Sequence, residues 1–159
     1  MNTKFNDDKI TFKPIGTIHS PYKDTKDIPK QPIQGRGIIA EIEIFPEYID
    51  GLKDLENYSH IMLIFNFHLS KCFDLRVVPY KEKQIRGVFA TRSPRRPNQI
   101  GMSIVRLDSI DKNILNISNI DIIDGTPLLD IKPFIKEMDC FDMSDQDNTE
   151  WLKNKFMKE

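Results

Sequence analysis

Between Gly37 and Phe45 apolar and polar positions alternate, with Ile38, Ala40, Ile42 and Ile44 on one side and Glu41 and Glu43 on the other. Successive side chains of a strand leave opposite faces of the pleat, so this period of two predicts a half-buried antiparallel strand. His60 to Leu69 is apolar almost throughout and predicts a central core strand. Lys13–Ile18 reads as a short extended segment, and Gln84–Ala90 as a strand that ends at an arginine-rich loop. Gly101–Ile110 and Asn113–Ile120 predict a hairpin turning near Asp111-Lys112. A last strand, Ile120–Ile123, enters Asp124-Gly125-Thr126-Pro127, where glycine admits a positive φ without steric cost.

Between these strands, His19–Gly37 carries Pro21, Pro29 and Pro32 and predicts a long functional loop. Pro46–Asn57 predicts a short helix or turns around Tyr48, Leu52 and Leu55. Asn148–Phe156 predicts a helix, with Asn148 or Thr149 as N-cap, Glu150 in its first turn, and Trp151 and Phe156 to pack it. Many short strands and little helix leave two fold classes open, an all-β barrel or an α+β protein.

A chain of 159 residues, 39% hydrophobic and 30% charged, is one globular domain able to bury a core. No apolar stretch approaches the ~18 residues of a membrane span, and residues 1–13 contain no apolar signal region. Cys72 and Cys140 belong to no CxxC or Cys/His pattern. Reduced thiols, a cytoplasmic location and no metal are therefore expected. The three histidines, His19, His60 and His68, include no i, i+4 pair. His68, closing the apolar run, is either a pocket-lining ring or a core-edge residue bonded to backbone.

The net charge of −1 hides a polarised chain. Lys83 to Leu107 holds six bases and no acid, whereas Glu137 to Glu150 holds six acids and no base. Association follows the local field, so a polyanionic partner fits the basic stretch. Within it, Arg92-Ser93-Pro94-Arg95-Arg96-Pro97-Asn98 presents three arginines on a loop stiffened by two prolines. Little backbone entropy remains to be lost when such a loop grips an anion. Asp121, Asp124 and Asp130 surround the Asp-Gly-Thr-Pro turn, where a carboxylate beside exposed backbone N–H groups could hold ribose hydroxyls or an amino group. Pro29-Lys30-Gln31-Pro32 is either a plain extended connector or, through the Gln31 amide, a reader of an adenine edge or a carboxylate. No GxGxxG, P-loop, HExxH or GxSxG is present, which removes the Rossmann route to a dinucleotide or methyl-donor site.

These motifs occur in a recognisable order: Ile15-Gly16-Thr17-Ile18-His19-Ser20-Pro21-Tyr22, Pro29-Lys30-Gln31-Pro32, Leu55-Glu56-Asn57-Tyr58-Ser59-His60-Ile61, Phe67-His68, Gly87 to Asn98, and Asp124 to Phe134. Together they resemble the TsaA-like (TrmO) family of S-adenosylmethionine-dependent tRNA methyltransferases, over Ile15 to Phe134. The resemblance implies a mainly β, single-domain β-barrel with a few short helices over residues 15–136. An N-terminal arm (1–14) would precede it, and an acidic tail with a short helix (137–159) would follow. It implies a cytoplasmic homodimer that binds S-adenosyl-L-methionine partly across its interface. The reaction would methylate N6 of threonylcarbamoyl-adenosine in tRNA, beside the anticodon. The alternatives are a different acceptor for the same fold, or a non-catalytic cofactor sensor or RNA-binding module.

Carried over residue by residue, the resemblance implies a cofactor pocket of Gln31, Pro32, Ile33, Phe67, His68, Arg92, Met102, Asp121, Asp124, Gly125 and Thr126. Arg92 would pair with the cofactor carboxylate, while Arg95, Arg96 and Asn98 would face tRNA. A carbamoylated N6 is a poor nucleophile, so Asp124 or Asp130 is expected as general base and Lys132 as a stabiliser of negative charge. Three positions depart from the family pattern: Ile33 for glycine, Gln99 for proline and Phe134 for tyrosine. The chain also stops soon after the barrel, without the C-terminal region of longer members; if that region grips tRNA, a short member is expected to bind differently or to act on another substrate.

Overall fold

The computed structural model describes residues 10–29, 35–79 and 83–140. Six antiparallel strands close into a barrel: β1 (Gly16–His19), β2 (Ile39–Ile44), β3 (His60–Asn66), β6 (Ile100–Asp111), β7 (Ile114–Ser118) and β8 (Thr126–Pro133). Their order around the barrel is β1-β2-β7-β6-β3-β8, with β8 returning to β1. Closure leaves no barrel edge with unpaired backbone groups. Two further strands, β4 (Arg76–Val77) and β5 (Arg86–Gly87), pair with each other outside the barrel.

The barrel is filled by alternate side chains from every wall. Ile42 and Ile44 of β2, Ile61, Leu63 and Phe65 of β3, and Leu115 and Ile117 of β7 are all buried. Each such aliphatic side chain contributes roughly 1.5–3 kcal/mol on leaving water. β2 follows its predicted alternation, with Glu41 and Glu43 outside. One glycine is dictated by this packing. A Cβ on Gly101 would fall on the ring of Phe65, its partner across the β3–β6 ladder.

Bulges set which side chains face inward. In β8 the register steps from Ile64↔Asp130 to Phe65↔Leu128, leaving Leu129 as an extra residue. Leu128 and Ile131 therefore face the interior with Leu63 and Phe65, and Asp130 and Lys132 lie on the outer wall.

The observed elements correct several expectations. The apolar run from His60 keeps its ladder only to Asn66, after which Phe67 and His68 enter a turn. Gln84–Ala90 is not one strand: only Arg86–Gly87 pairs, and Val88–Ala90 coils into a 3-10 turn. The coil forms because the Val88 carbonyl collects three donors, Thr91 N–H at 3.1 Å, Thr91 Oγ1 at 2.8 Å and Arg96 Nη1 at 3.4 Å. Ile120–Ile123 alternates, with Ile120 and Ile122 buried, yet it is not a strand either. Side chains satisfy its carbonyls instead, Ser20 Oγ donating to Ile122 O at 2.7 Å and Thr126 Oγ1 to Ile123 O at 2.7 Å. The last strand is β8, further along the chain. Pro46–Leu52 and Leu55–Asn57 are 3-10 turns, and a short helix α1 (Lys136–Asp139) follows the barrel. The helix expected at Asn148–Phe156 lies outside the described residues.

Gly101→Ala is expected to lower stability by about 1–3 kcal/mol, the usual range for overpacking a filled interior. Urea unfolding checks it, and an unchanged midpoint would show that Phe65 can move aside freely.

Candidate active site

The C-terminal end of β1, the exit of β3, the start of β6 and the start of β8 meet at one mouth of the barrel. There the Ser20-Pro21-Tyr22 turn and the Asp124-Gly125 turn are joined by hydrogen bonds. Asp124 Oδ1 accepts from Ser20 N–H at 3.0 Å, Asp124 N–H donates to Tyr22 O at 2.9 Å, and Gly125 N–H donates to Ile18 O at 2.9 Å. Gly125 has a φ of 73°, which its missing Cβ permits. Lys23 Nζ lies 2.6 Å from the other oxygen of Asp124, and His19 Nδ1 approaches the carboxylate at 3.9 Å. Lys23 above all, then the Ser20 amide, holds the Asp124 carboxyl below the usual carboxylate range, against its partial burial. Asp124 is thus a charged clamp between two turns and a weak proton acceptor.

Asp121 hangs over the same mouth, where it accepts a hydrogen bond from Ser103 Oγ at 2.9 Å. The Asp121 charge, added to the larger effect of burial, pushes the nearby Tyr22 phenol upward. Phe67 stands edge-on to Phe65 with ring centroids 5.2 Å apart. Beside it, His68 Nδ1 is buried with no hydrogen-bond partner among the described residues. A buried polar nitrogen left unpaired is costly, and a bound polar group would remove that cost. Carboxylates, a buried imidazole nitrogen and aromatic faces fit a cationic, hydroxyl-bearing, purine-containing molecule such as S-adenosylmethionine. The mouth therefore brings together Phe67, His68, Asp121, Asp124, Gly125 and Thr126, whose side chain is buried in the turn. Gln31, Pro32 and Ile33 lie outside the described residues.

The other expected site residues occupy different places. Met102, Ile64 and Asp130 form one rung on the outer wall, and Ile104, Met62 and Lys132 form the next. Asp130 pairs with Lys132 at 2.8 Å. Strand spacing puts Met102 and Asp130 about 10 Å apart across β3. In the arginine loop the three guanidinium groups differ. Arg92 is exposed and has no ion-pair or hydrogen-bond partner among the described residues. Arg95 Nε pairs with Asp74 at 2.6 Å. Arg96 is turned inward, donating to Thr91 O at 2.7 Å, with its guanidinium carbon 6.0 Å from the centre of the Phe89 ring. Asn98 is exposed. Phe134 lies at the far end of the barrel, edge-on to His60 at 6.4 Å, beside an open cleft of about 530 Å³. This cleft shares no residue with the mouth.

The model of the tRNA-methyltransferase O N-terminal domain matches residues 17–140. The chain belongs to this family. A probable S-adenosyl-L-methionine-binding protein of Pyrococcus abyssi is 49% identical over 94% of the chain and 79% of its own length. The tRNA (adenine(37)-N6)-methyltransferase of Escherichia coli is 39% identical over 78% of the chain and 57% of its own length. A crystal structure of TrmO from Pseudomonas aeruginosa superposes with a TM-score of 0.72 at 37% identity, covering 84% of the chain and 60% of that protein. The chain thus spans about three-fifths of the length of these last two relatives.

Residues 16–133 form the TrmO-type barrel, and four residues at its mouth escaped sequence reasoning as site members. His19, Ser20 and Tyr22 were visible only as part of a motif without a role, and Lys23 only as part of the long loop, because their partners at the Asp124 turn lie about a hundred residues away. The Gln99 departure from the family pattern has a backbone counterpart. Gln99 has a φ of 53°, donates its N–H to Arg96 O at 3.3 Å, and accepts from Phe67 N–H at 2.8 Å. Proline fixes φ near −65° and has no N–H, so it cannot adopt this conformation.

Asp124 binds its proton less readily in the folded chain than in the unfolded one. Its contribution to stability is therefore complete above the ordinary carboxylate pKa and is lost as pH falls through the depressed native value. Asp124→Asn is expected to cost about 1–2 kcal/mol at neutral pH and to flatten the acid side of the stability curve. Urea midpoints from neutral to acidic pH test this; an unaltered acid limb would remove the clamp. Gln99→Pro is expected to reduce Tm by several degrees while Gln99→Gly leaves it near wild type, which calorimetry of both variants decides.

Proposed function

We propose that this protein is a cytoplasmic methyltransferase that uses S-adenosyl-L-methionine to methylate N6 of threonylcarbamoyl-adenosine in tRNA, beside the anticodon. The observation that carries this reading is the barrel mouth, which is flanked by Phe67, Asp121 and Asp124 and by a buried His68 nitrogen with no hydrogen-bond partner among the described residues. The names of the relatives support it from outside, as S-adenosyl-L-methionine-binding proteins and a tRNA (adenine(37)-N6)-methyltransferase.

In this reading Phe67, His68, Asp121, Gly125 and Thr126 line the cofactor pocket and Asp124 holds its turns in place. Gln31, Pro32 and Ile33 complete the pocket from the long loop. Arg92, exposed and unpartnered among the described residues, pairs with the cofactor carboxylate. The bound cofactor supplies a methyl group already activated on a sulfonium, so the protein has mainly to orient the acceptor nitrogen and take its proton. Asp124 is engaged by Lys23 and by the Ser20 amide in holding the two turns, so in this reading the proton goes to Asp130, with Lys132 beside it to balance charge. Arg95 and Asn98 meet tRNA phosphates, and binding weakens steeply with salt. Arg96 acts chiefly by holding the loop.

The outer wall of β3 and β6 supports a homodimer in this reading. Met62, Ile64, Met102 and Ile104 form an apolar sheet face there, with Met102 and Ile104 exposed. Pairing two such faces would bury the apolar surface and bring each Asp130 and Met102 to the interface.

Purified protein incubated with S-adenosylmethionine and tRNA carrying threonylcarbamoyl-adenosine should add a single methyl to that nucleoside, read by nucleoside mass spectrometry. Arg92→Ala should weaken cofactor binding by roughly 10- to 100-fold, the loss expected for a charge-assisted pair. Tight cofactor binding with no methylated nucleoside would remove the tRNA assignment and leave a different acceptor or a sensor.

A further inference from the structure

Phe89 is the most exposed large hydrophobic side chain among the described residues, at 75%. Its exposure is fixed by its neighbours. Val88, the preceding residue in the same 3-10 turn, is buried at 1% exposure and anchors the backbone. Thr91 and Arg96 then tie the Val88 carbonyl, so the turn cannot roll Phe89 inward without breaking those bonds and exposing Val88. A rigid turn thus holds an aromatic face in water, at a cost that burial elsewhere would avoid.

The surroundings of the ring select its partner. Arg96 stands 6.0 Å from the ring centre and is held by Thr91 O, so it remains beside the ring. Arg92, three residues on, is exposed and unpartnered among the described residues. Among the described residues the Arg95 side chain is engaged with the half-exposed Asp74, a surface pair that a phosphate can displace. No acid occurs between Lys83 and Leu107. An aromatic face framed by cations matches an unpaired nucleotide, which offers a π surface and a phosphate together.

We propose that Phe89 is a stacking platform for an unpaired base of the RNA substrate, positioned so that the arginine loop receives the adjoining phosphates. The proposal rests on the tRNA reading above and deepens it. Recognition by this ring is indifferent to the identity of the base, because every base has a π face. It selects for a base that is out of the helical stack, as in an anticodon loop.

The test uses the full chain and an anticodon stem–loop RNA carrying 2-aminopurine in its loop. Wild-type protein is expected to bind and to quench the probe by stacking. Phe89→Trp should retain both properties. Phe89→Ala should weaken binding about tenfold and lose the quench, with cofactor affinity and oligomeric state equal to wild type. Equal RNA affinity and quenching for Phe89→Ala and wild type overturns the platform while leaving the tRNA reading intact. Altered oligomeric state in Phe89→Ala also overturns it, by making the ring a subunit contact. If wild-type protein binds no stem–loop, the tRNA reading falls and takes the platform with it.

Discussion

Closure of the sheet between β1 and β8 is the constraint on which the rest of this molecule depends. β1 has only four residues, and it must bond to β2 on one side and β8 on the other. So short a strand supplies few ladder bonds to hold the first and last walls of a six-stranded barrel. The turns that flank it make up the difference, through the Asp124 carboxylate on the Ser20 amide and Ser20 Oγ on Ile122 O. The same bonds that shut the barrel shape its mouth. A site built on a seam of this kind gains rigidity from the fold, and changes that loosen the seam act on stability and on ligand geometry together.

Legibility of the fold in the sequence followed the origin of each hydrogen bond. β2 and the β6–β7 hairpin were readable because alternation and a local turn define them. β8 was not, since its bulge breaks the alternation and its partners are distant in the chain. Ile120–Ile123 misled for the opposite reason: the burial pattern of a strand is present, while side chains from Ser20 and Thr126 replace the ladder. At the site, motif order pointed to Phe67, His68 and the Asp121–Thr126 segment, which the fold brings to one mouth. Composition could not indicate that Lys23 would neutralise Asp124, or that Arg96 would be spent on carbonyls of its own loop. Both depend on side-chain direction, which periodicity does not encode.

The arginine loop illustrates a division of labour among identical residues. Arg96 serves the loop's interior, with two carbonyls and a ring face as partners, a role for which a planar fork is suited and a lysine is not. Arg95 is half committed to Asp74, and Arg92 has no ion-pair or hydrogen-bond partner among the described residues. A basic stretch in a sequence therefore overstates the positive charge available to a partner. Part of it is structural, and that part is what keeps the remainder in a fixed arrangement before anything binds.

The extra residue at Leu129 has a further consequence for how this strand can vary. Loss of Leu129 would close the bulge and leave Leu128, Asp130 and Ile131 in plain alternation, each on the face it holds now. Loss of Ile131, one place beyond the bulge, would instead turn Lys132 into the barrel and Pro133 out of it. The strand is thus forgiving of a change in length at the bulge and unforgiving past it, where a single-residue deletion would damage the protein more than replacement of either charged residue.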